Sequence, residues 1–481
     1  MAVYDYDLII LGGGAGGFSA SGIAVGLGKR VAIVEKNKLG GDCTWYGCVP
    51  SKALIRAAEV AHLTRNASQF GLSLNGGGRV CAKRVMKHVR EVVQAVYDGH
   101  RPEHLQAKGI DVIFGSPRFV NNEQIEVDGR TISARRFVIA TGSSPLVPPI
   151  DGIDQVPYLT NETLFSVEEL PDSLIVLGGG PIGIEMAAAL NRLGVQVTVV
   201  EMMERILVRD EPELVDILVE QLRQEGLQLL TGHRAVQVKG DAQQIQLTLE
   251  NGSGQRKTIQ ANALLVAVGR RPNVAGLDLE KAGVAYSARG IQTDQTLKTT
   301  APNIYAIGDV IGSYQFSHMA EYHATVATPN ALLPLPIKKK VSDQHVAWAT
   351  FTDPELAHAG YTEAEARERL GDGIRVYRYE YAHVDRARTD VAAVGRSKFI
   401  TDRKGRLVGA HILGHRAADL IHEAQVVKVL GLPFHKISKA IHIYPTYGDL
   451  IKRPADYSYV DKVKNNPLVK LVQALRGAGK N

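Results

Sequence analysis

The 481-residue sequence predicts an α/β protein with two parallel-sheet domains and a final domain of α+β type. Three observations lead there. A chain this long exceeds a single hydrophobic core and should divide into about three domains. Two segments repeat one plan of apolar strand, glycine cluster, small-residue helix and second apolar strand. From about Val346 the pattern changes to alternating strands with interspersed helices.

The first repeat runs from Leu8–Leu11 through Gly12-Gly13-Gly14-Ala15-Gly16-Gly17 and a helix to Gly28, then Val31–Val34, closed by Glu35. The second runs from Leu174–Leu177 through Gly178-Gly179-Gly180-Pro181-Ile182-Gly183 and a helix to Leu193, then Val195–Val200, closed by Glu201. Each is a βαβ unit suited to a dinucleotide. The first glycine makes the tight turn, the second admits backbone close to a pyrophosphate, and the third lets helix pack on strand. The helix N-terminus faces the phosphates, and the closing carboxylate accepts from a ribose diol. One glycine pattern alone is weak, because glycine turns before helices are common. The whole unit twice, in context, is specific, and the fold class is two Rossmann-like dinucleotide-binding domains plus a C-terminal α+β domain.

Other strand ends fit this plan. Phe137–Ile139 runs into Ala140-Thr141-Gly142, Leu264–Ala267 into Val268-Gly269, and Asn303–Ile307 into Gly308-Asp309. Ligands collect at the carboxyl ends of strands in open α/β sheets. Thr141 or Asp309 alone would read as a turn or cap residue, but the repetition argues for cofactor contacts. In the last region, Val346–Phe351, Arg375–Tyr381 and Phe399–Thr401 read as antiparallel strands, with helices at Thr362–Arg369 and Arg416–Leu430.

Composition excludes other classes. The 45% apolar and 22% charged fractions are those of a globular chain. The net charge of +6 suits anionic cofactors, but the basic residues are dispersed, so nucleic acid is not expected. No apolar stretch approaches the roughly 20 residues of a membrane helix. The opening Asp5–Leu11 lacks a basic flank and cleavage site, and reads as a first strand and not a signal peptide. Three cysteines are too few for a disulfide scaffold, and a reducing cytoplasmic setting is expected. The run Pro467–Arg476 puts apolar residues at 468, 471, 472 and 475, a stripe suited to docking against protein.

Cys43 and Cys48 lie in Gly40-Gly41-Asp42-Cys43-Thr44-Trp45-Tyr46-Gly47-Cys48-Val49-Pro50-Ser51-Lys52. A five-residue step along a regular helix would separate their Cα atoms by roughly 8–9 Å, whereas a disulfide wants less than about 7 Å. For the two to pair, the segment must bend or unwind, and Gly47 and Pro50 supply the means. Such a short-loop bridge is easier to reduce than a structural one. A metal site would want CxxC spacing and further ligands nearby, and neither is present, so no metal site is expected. Spacing alone leaves two inert thiols open. Two dinucleotide loops beside a cysteine pair instead make an electron path.

The Gly40–Lys52 stretch, with the Thr141-Gly142 and Gly308-Asp309 strand ends in order, resembles the class I pyridine nucleotide-disulfide oxidoreductases. That family includes dihydrolipoyl dehydrogenase, glutathione reductase and mercuric reductase. The resemblance covers essentially the whole chain. It implies a discontinuous FAD-binding domain (1–149 and 275–344), an NAD(P)-binding domain (150–274) and a C-terminal dimerisation domain (345–481) that makes a homodimer. It implies FAD contacts at Gly12, Gly14, Ala15, Gly16, Gly17, Glu35, Lys36, Gly41, Asp42, Cys43, Lys52, Gly115, Ala140, Thr141, Gly142, Arg270, Gly308 and Asp309, with Glu35 on the adenosine ribose and Asp309 on the ribityl chain. Nicotinamide nucleotide would contact Gly178, Gly180, Ile182, Gly183, Glu201, Val268 and Gly269. Glu201 would accept from a 2′-hydroxyl and repel a 2′-phosphate, so NADH is expected over NADPH. Cys48 would be the flavin-side sulfur, Cys43 the interchange thiol, and Lys52–Glu185 a pair near the flavin.

One departure bears on the acceptor. Disulfide-reducing members place a His directly before a Pro near the C-terminus, oriented by a Glu, to manage the thiol proton. Here the stretch is His442-Ile443-Tyr444-Pro445-Thr446-Tyr447-Gly448-Asp449, with Tyr444 in the base position and Asp449 for the Glu. A phenol of ordinary pKa near 10 is a poor base. Mercuric reductases also lack that His, and the chain looks closer to them, though it carries neither an N-terminal metal-binding module nor a C-terminal cysteine pair. The expected activity passes electrons through flavin to Cys43–Cys48 and on to a soft metal ion or small oxidant. A dihydrolipoyl dehydrogenase or other disulfide reductase with an altered base is the alternative. A flavin-binding redox sensor or scaffold is the reading from another class.

Overall fold

The computed structural model describes residues 4–73 and 79–477. The chain forms two compact units, Met1–Met202 with Gly232–Ser342, and Met203–Thr231 with Asp343–Asn481. No helix among the described residues is long and apolar enough to cross a membrane.

The first unit is built on a five-stranded parallel sheet in the order Ile304–Ala306, Phe137–Ile139, Leu8–Leu11, Val31–Glu35, Ile110–Phe114. Strands covered on both faces read as unbroken apolar runs, and Leu8–Leu11 is wholly buried. This strand has Val31–Glu35 on one side and Phe137–Ile139 on the other, so the crevice beyond its carboxyl end lies where the connections diverge. Helix Ala15–Gly26 lies close by because Gly16, Gly17, Ala20, Ser21 and Ala24 make a buried face without bulk.

A second parallel set repeats the arrangement. Ser173–Leu177 lies between Gln196–Val200 and Ala263–Val266, and helix Pro181–Arg192 follows it. An antiparallel sheet of His233–Gly240, Ile245–Asn251 and Arg256–Ala261 connects these strands in sequence. The α/β architecture agrees with the sequence.

The second unit carries a five-stranded antiparallel sheet in the order Ala347–Thr350, Glu355–Gly360, Leu407–Gly414, Arg396–Thr401, Arg375–Glu380. The expected helices appear as Glu363–Leu370 and Ala417–Val429. Phe399, Phe434, Tyr381 and Ile412 lie in its core. Helix Pro212–Gln224 belongs to this unit and buries Leu214, Val215, Leu218 and Leu222.

The approach to that helix is fixed by charge. Lys398 is buried, with its ammonium 2.8 Å from Glu211, 2.7 Å from Glu213 and 2.8 Å from Glu363. Arg378 bonds both Glu213 and Glu363. Burial alone would raise Glu213 and Glu363, but Arg378 and Lys398 on the first, and Lys398 and Arg367 on the second, hold each at about 2. Beside them Trp348 stacks on His358 at 3.8 Å and donates to Asp210, whose carboxyl burial pushes up to about 7.

Removing one member of a buried ion cluster leaves the others desolvated and uncompensated. Lys398→Ala should cost about 3–5 kcal/mol, read as a lower urea midpoint at neutral pH. In the parent protein, depressed carboxyl pKa values stabilise only while the groups are ionised. Their contribution is complete above the ordinary value of 4.5 and should disappear as pH falls toward 2.

Candidate active site

Two cradles of one design open in the first unit. Gly12 has φ +111°, and a Cβ there would lie 2.4 Å from the Ala140 carbonyl oxygen; Gly178 has φ +114°, with the Ala267 oxygen at 2.4 Å. A Cβ on Gly17 would meet the Gly12 oxygen at 2.0 Å, and one on Gly183 the Gly178 oxygen at 2.0 Å. Gly14 and Gly180 begin the two helices without a side-chain cap, leaving first-turn N–H groups for a ligand. Ala15 and Ile182 lie in those first turns.

The closing carboxylates are tied back in the same way. Glu35 accepts from the Gly13 N–H at 2.8 Å and Glu201 from the Gly179 N–H at 2.6 Å. Lys36 follows Glu35 on the surface, and the Gly115 N–H donates to the Glu35 carbonyl at 3.0 Å. Val268 and Gly269 follow strand Ala263–Val266.

The cysteine segment breaks as its spacing requires. Helix Gly41–Trp45 ends, Tyr46 and Gly47 interrupt it, and a new helix runs Cys48–Arg65. The break is close-packed, since a Cβ on Gly47 would lie 2.9 Å from an Asp42 carboxylate oxygen and 3.1 Å from the Asp42 carbonyl oxygen. A Cβ on Gly41 would lie 2.8 Å from Gly14 Cα, so the loop abuts the first cradle. The Trp45 indole anchors it by donating to the Leu39 carbonyl at 2.9 Å.

The two thiols meet and share protons unequally. A hydrogen bond from Cys43, then the Ser317 hydroxyl and the Lys52 charge, pull Cys48 down to about 6 against burial. The same bond, followed by burial, pushes Cys43 far above the usual thiol range. Ser317 Oγ lies 3.6 Å from Cys48 Sγ. Cys48 is also the first residue of an 18-residue helix, whose N-terminus favours a thiolate. Lys52, one turn on, binds the buried Glu185 at 2.7 Å.

Arg270 ties the loop to the strand ends. Its guanidinium lies 3.1 Å from Asp42 and donates to Ser143 Oγ at 2.7 Å, and that hydroxyl donates to Asp309 at 2.6 Å. Burial raises the Asp309 carboxyl. The Gly308 N–H donates to His323 Nδ1 at 3.2 Å. Thr141 Oγ1 donates to the Asn273 carbonyl at 2.8 Å, and the Asn273 N–H donates to the Gly142 carbonyl at 2.9 Å.

Tyr444 and Asp449 lie in the second unit. The exposed Tyr444 phenol donates to Asp385 at 2.7 Å, which raises its pKa. Asp449 opens helix Asp449–Lys464, 3.6 Å from Arg453. His442 lies in a loop with Nε2 3.0 Å from Glu423 and Nδ1 3.1 Å from the Ala440 carbonyl. Leu468, Leu471 and Val472 of the last helix are exposed.

Sequence reading missed Ser317, Ser143, His323 and Asn161. All are polar residues outside the motifs, brought in by contacts across long stretches of chain.

Paired dinucleotide cradles beside a thiol–thiolate couple define a nucleotide-dependent dithiol oxidoreductase. The chain belongs to the pyridine nucleotide-disulphide oxidoreductases, whose family model matches residues 6–324, with the family's dimerisation domain matching 346–455. This is a flavoprotein family that uses FAD and NAD(P)H. The chain is 35% identical to a mercuric reductase of Bacillus cereus over 453 residues, 93% of this chain and 71% of that one. It is 34% identical to a dihydrolipoyl dehydrogenase of Bacillus subtilis over 470 residues, 94% of this chain and 97% of that one. Among solved structures, the Cu(II) complex of the HOCl-induced flavoprotein disulfide reductase RclA from Escherichia coli matches with TM-score 0.84 and 28% identity, covering 95% of this chain and 100% of that one.

With the pair reduced by dithiothreitol, ultraviolet thiolate absorbance should titrate with a midpoint about 6. Lys52→Met removes a cation that favours the thiolate, so the midpoint should rise. A parent midpoint at the ordinary 9.0 would contradict the assignment.

Proposed function

We propose that this chain is an NADH-dependent flavoprotein reductase whose Cys43–Cys48 pair delivers electrons to a soft metal ion. The observation that carries this reading is Tyr444, which stands where disulfide-reducing members of the family place a His directly before a Pro. A disulfide substrate releases a thiolate that must be protonated, and exchange needs the Cys43 proton removed. Tyr444 is tied to Asp385 with its pKa raised, and both nitrogens of His442 face acceptors. A metal-ion acceptor leaves no thiolate to protonate, although binding it also takes the proton from Cys43. The mercuric reductases among the relatives support the same class of substrate, and the Cu(II) complex of the RclA protein shows a related fold binding a metal ion.

The residues present fit FAD in the first cradle. The uncapped N–H groups at Gly14, the space a Cβ on Gly12 or Gly17 would remove, and the tethered Glu35 suit a pyrophosphate and its ribose. Asp309 and Lys52 would hold the same group further along, and the second cradle, with Gly180 and Glu201, would hold the nicotinamide nucleotide. FAD supplies a two-electron link between a hydride donor and a disulfide. In this reading residues 1–149 and 275–344 bind FAD, 150–274 bind NADH, and 345–481 form the homodimer interface. Cys48 is the flavin-side sulfur and Cys43 the thiol that meets the acceptor. Lys52, held by Glu185, keeps positive charge beside Cys48.

NADH is assigned over NADPH because Glu201 would repel a 2′-phosphate. Arg205, the nearby cation in sequence that could offset it, is bound by both guanidinium NH2 groups to Asp216. Steady-state kinetics should give a higher kcat/KM with NADH, and a preference for NADPH would contradict the assignment.

The acceptor is tested with purified holoenzyme and NADH. Mercuric or cupric ion should sustain turnover, and lipoamide or glutathione disulfide should support little. Cys43→Ala should keep its flavin and lose the metal-dependent rate. Rapid lipoamide reduction, or full metal-ion turnover in Cys43→Ala, would overturn the reading.

A further inference from the structure

The cysteine loop is gripped by a residue that no motif singles out. Asn161 opens the short helix Asn161–Leu164, whose start is set by a Thr160 capping box. Its side-chain amide is almost buried and donates to Asp42 Oδ1 at 3.1 Å and to the Tyr46 carbonyl at 3.2 Å. An amide NH2 has one hydrogen for each acceptor. Those acceptors stand on either side of Cys43. Arg270 reaches the same Asp42 oxygen at 3.1 Å, so the carboxylate is held by an amide and a guanidinium together.

We propose that Asn161, supported by Arg270, is a positioning residue for the dithiol, tying together the two ends of the turn at residues 41–46 that carries Cys43 so that Cys43 stays against Cys48 and thereby setting the reduction potential of the pair. This rests on the reading of Cys43 and Cys48 as a redox couple. A disulfide forms in proportion to how often its two thiols meet. The segment between them is not a continuous helix, so a loose loop would have open conformations that separate the sulfurs. Hydrogen bonds to both ends of the turn that carries Cys43 restrict those conformations before the S–S bond forms, so part of the cost of ordering is already met.

The test uses holoenzyme without any acceptor, equilibrated in mixtures of reduced and oxidised glutathione. In that equilibrium the Cys43 thiol, the Cys48 thiolate, one glutathione disulfide and one proton from solvent become the Cys43–Cys48 disulfide and two glutathione thiols. Two electrons and one proton pass from the pair to glutathione. Alkylation followed by peptide mass measures the oxidised fraction. Asn161→Asp keeps the shape but cannot donate and places like charge against Asp42; Asn161→Ala removes the amide outright. Both should shift the equilibrium toward the dithiol roughly tenfold, the scale of one or two lost hydrogen bonds, or about 30 mV for a two-electron couple. An unchanged equilibrium in both variants with flavin retained would overturn the proposal, even if thermal stability fell. If the parent protein forms no Cys43–Cys48 disulfide at any glutathione ratio, the redox-couple reading itself falls and the proposal with it.

Discussion

The chemistry of this protein depends on a helix that stops. Were the chain from Gly41 to Arg65 one continuous helix, the two cysteines would point about 140° apart and be offset by about 7.5 Å along the axis. The interruption at Tyr46-Gly47 lets Cys43 fold back on Cys48, and Asp42 packs closely against Gly47 there. The neighbours of that break each serve it. Trp45 pins the near side to Leu39, Asp42 fills the space beneath Gly47, and the helix that restarts at Cys48 offers its N-terminus to the sulfur.

Charge is then distributed by position. Cys48 has a helix N-terminus, a hydroxyl and a lysine on its side, whereas Cys43 faces a neighbouring thiolate and partial burial. Two chemically identical side chains separated by five positions acquire opposite tendencies. In the second unit the logic is structural. There a buried lysine is tolerated because three carboxylates surround it, two of them on the segment leading into and beginning helix Pro212–Gln224.

What the sequence made legible was local. The glycine turns, the closing carboxylates Glu35 and Glu201, and the need for a bend between the cysteines are all written within short windows, where period and spacing carry physical meaning. The central strands Glu355–Gly360 and Leu407–Gly414 were not anticipated. Their Ala, Gly and His content breaks the alternation of a readable strand, and neighbours on both sides determine their conformation. Asn161 and Ser317 were invisible for a different reason. They reach the cysteine segment across 119 and 269 positions, and only the folded chain juxtaposes them.

The uneven sharing of protons between the thiols has a stoichiometric consequence. A hydride carries two electrons and one proton. A couple that is one thiol and one thiolate when reduced also stores two electrons and one proton, so reducing the pair from a hydride donor balances without drawing on solvent. Below the pH at which Cys48 gains its own proton, about 6, that balance is lost and an additional proton must enter from water. Above it, the half-reaction draws no proton from solvent.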